Sequence, residues 1–148
     1  MSQESSFLAA LERHRATFAM LEQHREQAEQ LLALTRRCLT TDSSILTAHA
    51  NDYEFASVFE RQVRGLGRPG DLVVGLTTSG ESENVNRALI AANNLGAVTV
   101  ALTGRDGGRV RDIAQLTIII PSNETARIQE AHMFIGHWLC EALDEVAL

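Results

Sequence analysis

The chain has 148 residues, 45% of them apolar and 22% charged, with a formal net charge of -6. That length supports one domain with a real core, and the acidic balance argues against a general nucleic-acid-binding surface. The polar start MSQESSF carries no signal-peptide core, and no apolar run nears membrane-spanning length, so a cytoplasmic protein with no membrane partner is expected.

Residues 5 to 37 read as one long helix. Leu8, Leu11, Phe18, Leu21, Ala28 and Leu32 recur near a seven-residue repeat, and no Gly or Pro interrupts them. A helix this long cannot hide its stripe on a small domain, so it is expected to pack against another subunit; the alternative is a helix lying along its own domain. The run LLALTRRC then passes into LTTDSSILTAHAND without a capping glycine, a proline or a polar loop. Residues 43 to 49 read as a short helix. NDYEFASVFERQVRGLG reads as another, with Asn51 or Asp52 as N-cap and Phe55, Val58, Phe59 and Val63 on one face. RPGD is a turn.

From there the chain alternates. DLVVGL is a strand, and ESENVNRALIAANNLG is a helix closed by Gly96. AVTVAL is a second strand, followed by the loop TGRDGGR and a short helix ending near Ala114. QLTIII is a third strand, and a long helix runs from about Glu124 to Ala147. Short, continuous apolar strands are those covered on both faces. The fold class expected is α/β: a three-layer, doubly wound parallel sheet in a single domain over 1–148, with an N-terminal helix over 1–38 serving oligomerisation and a core over 40–148. The two cysteines, Cys38 and Cys140, lack metal-type spacing and read as reduced, half-buried thiols.

Ligands of such sheets bind at the carboxyl ends of the strands. At the end of the first strand stand four hydroxyl residues, Thr77, Thr78, Ser79 and Ser82, around Gly80. Unpaired amides and the dipole of the following helix favour an anion there, the glycine permits close backbone approach, and the hydroxyls add neutral donors. A phosphate or a phosphosugar fits this set. A nucleotide P-loop does not, because its lysine is missing, and no GxGxxG supports a dinucleotide site. A lone N-cap serine would explain one hydroxyl but not four. TGRDGGR is best read as a tight turn rather than a second anion loop, since the directions of Arg105 and Arg109 are open.

In the last helix Ile128, Ile135, Leu139 and Leu143 form a core stripe, while Gln129, Glu130, His132 and His137 are the polar exceptions. A lone histidine on a half-buried helix is usually structural. Gln129 and His137 are eight residues apart, a rise of about 12 Å with about 80° of rotation. One helix presents such a pair poorly to one metal; long side-chain reach or two subunits would be needed.

GLTTSGESENVNRAL, then TVALTGRDGGRV, then PSNETARIQEAHMFIGHWLCE resemble the sugar isomerase (SIS) domain family and, within it, the phosphoheptose isomerases. TTDSSILTAHANDYEF and RQVRGLGRPGD match as well; residues 40 to 148 carry the resemblance closely and residues 1 to 38 more loosely. It implies an aldose–ketose isomerisation through an enediol, converting sedoheptulose 7-phosphate to D-glycero-D-manno-heptose 7-phosphate for bacterial surface heptose, in a homotetramer with sites between subunits, often with zinc. By position, Thr77, Thr78, Ser79 and Ser82 would hold the phosphate and Asp52 would contact sugar hydroxyls. Gln129 and His137 would line the metal, Gln129 also binding substrate and His137 acting as acid/base. One branch of the family resembles a non-catalytic regulator that binds a replication initiator; it lacks the histidine corresponding to His137, so the histidine here favours the enzyme.

Two departures stand out. Ala126 replaces the acidic residue or proline that the family has just before RIQE, which bears on one sugar contact. The family also places a strand, a GNGGS phosphate loop and a helix with an HxxxE motif between the N-terminal helix and TTD, and all of that is absent between Cys38 and Thr40. Such a unit takes roughly 30 residues or more. It would bring a histidine and a glutamate, two zinc ligands, the glutamate being the main base. Without it a sheet edge and apolar helix faces would lie open. The expectation is therefore that this segment belongs to the protein and is missing from this sequence; the alternative is a short chain without the full site.

Overall fold

The structure, a computed structural model, describes residues 3–21, 23, 25–27 and 43–147. In chain order these form helix α1 (Gln3–Leu21), helix α2 (Ser43–Asp52), a 3-10 turn (Phe55–Ser57), helix α3 (Val58–Leu66) and strand β1 (Leu72–Leu76). Helix α4 (Glu83–Leu95), strand β2 (Val98–Gly104), a second 3-10 turn (Arg109–Asp112), strand β3 (Leu116–Ile120) and helix α5 (Thr125–Ala147) follow.

The three strands form one parallel sheet in the order β1-β2-β3, with Leu72 beside Val98 and Val100 beside Leu116. Alternation along each strand sends side chains to two covered faces, as continuous apolar strands require. On one face Leu72, Val100, Ile118 and Ile120 pack with Ile128 and Ile135 of α5. On the other, Val73 and Ala101 meet α3 and α4. The alanines of α4 let it lie close, and a Cβ on Gly75 would fall 2.8 Å from Val85 Cγ1. Gly96 ends α4 at φ 77, as a left-handed C-cap. The fold is the expected α/β sandwich of helices on a parallel sheet.

Helix α1 lies along α5 of the same chain. Phe18 meets Phe134 edge-on at 5.2 Å, His14 Nδ1 is 2.5 Å from Glu130 Oε2, and Arg13 Nε donates to Glu124 at 2.8 Å. The expected continuation of this helix to residue 37, Cys38, and the junction at 38–40 fall outside the described residues, apart from 23 and 25–27.

Three local expectations need correction. Asn51 and Asp52 do not cap the third helix; they are the last residues of α2, because Tyr53 N still donates to His49 O at 3.0 Å and the chain only turns extended at Glu54. Phe55 is not on the buried face of α3 but precedes it in the 3-10 turn and is 63% exposed. Cys140 is exposed rather than half-buried.

Among the described residues β1 pairs only with β2. Val98 N donates to Asp71 O at 2.7 Å and Thr77 N to Leu102 O at 3.0 Å. Positions 71 and 77 thus turn their backbone toward β2, and the alternation of a strand turns Leu72, Val74 and Leu76 to the other edge. A cleft of about 320 Å³ borders this strand, lined by Phe59, Val63, Leu66, Val74 and Leu76.

Candidate functional site

The loop from Thr77 to Ser82 leaves the carboxyl end of β1 and enters α4. Thr77 is buried, while Thr78, Ser79 and Ser82 are half-buried. The hydroxyls knit the turn together: Thr77 Oγ1 and Ser82 Oγ are 2.9 Å apart, Gly80 N donates to Thr77 Oγ1 at 3.2 Å, and Glu81 N donates to Ser79 Oγ at 3.2 Å. Ser82 is the N-cap residue of α4, yet its side chain makes no capping bond. The hydroxyl cluster is therefore not explained by capping, and the helix dipole points its positive end at the turn. Below it, Asn86 is 2% exposed; its Nδ2 donates to Gly80 O at 3.4 Å and its Oδ1 has no partner among the described residues.

TGRDGGR packs directly on this turn. Val110 N donates to Gly80 O at 3.0 Å, and a Cβ on Gly80 would lie 1.9 Å from Gly107 O. As read from sequence, the segment is a tight turn leading into a short helical stretch, here the 3-10 turn Arg109–Asp112. Arg109 is directed at carboxylates: its Nε donates to Glu81 Oε2 at 2.8 Å and its Nη2 to Glu83 Oε2 at 2.9 Å. Hydrogen bonding to Arg109 holds the Glu81 carboxyl below its usual range. Sequence reasoning missed Glu81, Glu83 and Asn86 here; Glu83 was legible as an acid in the first turn of α4, Glu81 as the residue before its N-cap Ser82, and Asn86 as one turn beyond Ser82.

The remaining sequence-predicted residues are not gathered in this turn. Asp52 is exposed at the end of α2, where it borders a cleft with His49, Tyr53 and Arg61. Gln129 and His137 are exposed on α5. The start of α5 abuts the turn: a Cβ on Gly104 would lie 2.3 Å from Ile128 Cδ1 and 2.9 Å from Thr78 O. Gln129 follows Ile128 there, whereas His137 is about 12 Å further along the helix axis. His132 is structural: buried at 6% exposure, its Nε2 lies 3.3 Å from Thr103 O, and burial pushes its pKa down. Among the described residues there is no group of three or more His, Cys, Asp or Glu that could hold a metal ion. No helix among them is long and apolar enough to cross a membrane.

A family model described as SIS domain matches residues 19–104. The chain is 59% identical over 108 residues to a phosphoheptose isomerase of Aquifex aeolicus, covering 73% of this chain and 56% of that one. It is 51% identical over 115 residues to one of Paramagnetospirillum magneticum, covering 78% and 60%. Among solved structures, phosphoheptose isomerase GmhA from Neisseria gonorrhoeae superposes with a TM-score of 0.91 at 31% identity, over 97% of this chain and 100% of that one. A phosphoheptose isomerase from Francisella tularensis gives 0.67 at 37% identity, over 76% and 58%. The chain thus spans little more than half the length of the curated relatives it matches. A parallel sheet covered on both faces, a hydroxyl-rich turn at its carboxyl edge and a match across more than half of the sequence place this chain in the SIS domain family.

Proposed function

We propose that this chain is the body of an aldose–ketose isomerase that converts sedoheptulose 7-phosphate to D-glycero-D-manno-heptose 7-phosphate. The observation that carries the reading is the Thr77–Ser82 turn, which places four hydroxyl residues immediately before α4 in a chain 59% identical to a phosphoheptose isomerase. In this reading Thr77, Thr78, Ser79 and Ser82 hold the phosphate, which fixes one end of the substrate. Asp52 contacts sugar hydroxyls, and His137 exchanges a proton at the reacting end. An isomerisation through an enediol needs one group to move a proton between adjacent carbons and another to serve the oxygens.

The exposure of Gln129 and His137, beside Met133 and Phe134 at 59% and 51% exposure, supports a homotetramer whose sites lie between subunits. We also propose that the protein carries a strand–loop–helix segment between residues 38 and 40. The edge of β1 that has no strand partner among the described residues is one support. Helix α3 is another: it packs on the same sheet face as α4, where the crossover helix of a preceding parallel strand on that edge would lie with the same hand as β1–α4–β2. Zinc enters this proposal only with two further ligands from that segment; when bound it would polarise the oxygen of the enediolate.

The test is turnover of sedoheptulose 7-phosphate by the purified protein, with its intact mass read against 16.2 kDa. A larger mass with isomerisation supports both statements. Phosphosugar binding without turnover at 16.2 kDa would overturn the isomerase in favour of a non-catalytic binding protein of the family.

A further inference from the structure

The anion turn has two carboxylates at its rim. Glu81 follows Gly80 within the turn itself, and Glu83 is the first residue of α4. An acid in the first turn of a helix suits the dipole, but two of them beside a phosphate would repel it. Both are engaged by one cation. Arg109 donates from its backbone N to Glu81 Oε1 at 2.9 Å, from Nε to Glu81 Oε2 at 2.8 Å, and from Nη2 to Glu83 Oε2 at 2.9 Å and Glu81 O at 3.3 Å. The side chains of all three are more than half exposed, so the pairs contribute little to stability. Their arrangement therefore calls for an explanation other than folding. The two glutamates are the acids within the Ser79–Glu83 stretch, and Arg109 arrives from the loop after β2, stacked on the turn through Gly80 and Gly107.

We infer that Arg109 is a positioning residue for phosphate binding: it turns the carboxylates of Glu81 and Glu83 onto itself and offsets one of their two negative charges at the mouth of the hydroxyl turn. The inference rests on the reading that this turn holds the phosphate. It predicts a sign pattern that a plain loop clamp does not. Removing Arg109 leaves two uncompensated negative charges beside the anion. Removing Glu81 leaves the guanidinium with one carboxylate fewer.

The experiment is calorimetric titration of the full chain with inorganic phosphate, together with thermal melting of each variant. Taking one unit charge about 8 Å from the anion and an effective dielectric between those of bulk water and a protein surface, Arg109→Gln raises the dissociation constant roughly threefold to thirtyfold. Arg109→Lys keeps the charge and stays within about twofold of the parent, and Glu81→Gln binds as tightly as the parent or more so. Adding Glu81→Gln to Arg109→Gln restores part of the loss, and melting temperatures hold throughout. Equal weakening by Arg109→Gln and Arg109→Lys, or by Arg109→Gln and Glu81→Gln, overturns the charge argument, as does an unchanged constant in Arg109→Gln. Ser79→Ala with Ser82→Ala separates the two levels. If that pair weakens binding and Arg109→Gln does not, the inference fails while the phosphate turn stands. If the parent shows no saturable binding, or the serine pair has no effect, both fall.

Discussion

Gly80 is where the two loops of the site touch, and replacing it with alanine tests that contact directly. Its φ of 72 lies in the left-handed region, which costs an L-residue about 1–2 kcal/mol. The added Cβ would fall 1.9 Å from Gly107 O, 2.6 Å from Gly107 C and 2.9 Å from Gly108 Cα. These are backbone atoms with no rotamer to move, so the loops must separate, at the roughly 1–3 kcal/mol of an overpacked core. The sum is about 2–5 kcal/mol for Gly80→Ala. Separation would also stretch the Val110 N to Gly80 O bond, so phosphate affinity should fall with stability. Urea unfolding can be followed through Trp138, the chain's one tryptophan, which packs against the core. Comparisons belong at one fixed protein concentration, because assembly shifts apparent stability. Gly65→Ala is the control: it sits in α3 with nothing within 4 Å of the new Cβ. A gain of about 0.5–1 kcal/mol is expected there from helix propensity. If Gly80→Ala unfolds within about 0.5 kcal/mol of the parent and binds phosphate equally well, the stacking of the two loops is refuted.

Ile128→Ala empties a fully buried position between α5 and Gly104, and denaturant unfolding should show a loss of about 2–5 kcal/mol. His132 is held neutral by burial, so its folded-state pKa lies below the ordinary 6.5. As pH falls below that value the unfolded chain takes up the proton first, and stability drops until the lowered folded-state pKa is passed. His132→Asn should flatten the stability–pH slope below pH 6.5 relative to the parent, measured by urea midpoints; an equal slope would mean that His132 does not titrate differently on unfolding. His137→Ala, at an exposed position, should leave stability within about 0.5 kcal/mol and phosphate binding unchanged while abolishing isomerisation; retained turnover removes His137 from the mechanism.

The alternation of strands and helices was legible because each strand is an uninterrupted apolar run bounded by turn residues, and because Gly96 closes α4 where its pattern ends. The hydroxyl turn was legible for the same reason: its position after a strand follows from local order alone. What local order could not supply was direction across space. Asn51 and Asp52 favour an N-cap in isolation, but the hydrogen bonds of α2 continue through them. Arg109 gave no clue to its partners, since Glu81 and Glu83 reach it only once two loops stack. The two histidines of α5 illustrate the difference between period and type. His132 lies four residues after Ile128 and three before Ile135, on the core stripe, and it is buried; His137 lies off that stripe and is exposed.

That exposure constrains how the proposed chemistry can be assembled. A phosphate at the start of α4 fixes one end of a sugar phosphate at the carboxyl edge of the sheet. Gln129 stands at that level, because Ile128 touches the strand end that borders Thr78. His137 is about 12 Å further along the same helix, on a surface where Met133 and Phe134 are also left open. A proton carrier must come within hydrogen-bonding distance of the carbon or oxygen it serves. A histidine displaced down α5 from its own anion turn meets that condition more readily at the turn of a neighbouring subunit packed on this face. Under the proposed assembly, subunit association and catalysis are one requirement: a substitution such as Met133→Glu, which charges the face without touching the turn, should separate the subunits, abolish turnover and leave phosphate binding intact. Loss of subunit association with full turnover would show instead that each chain completes its own site.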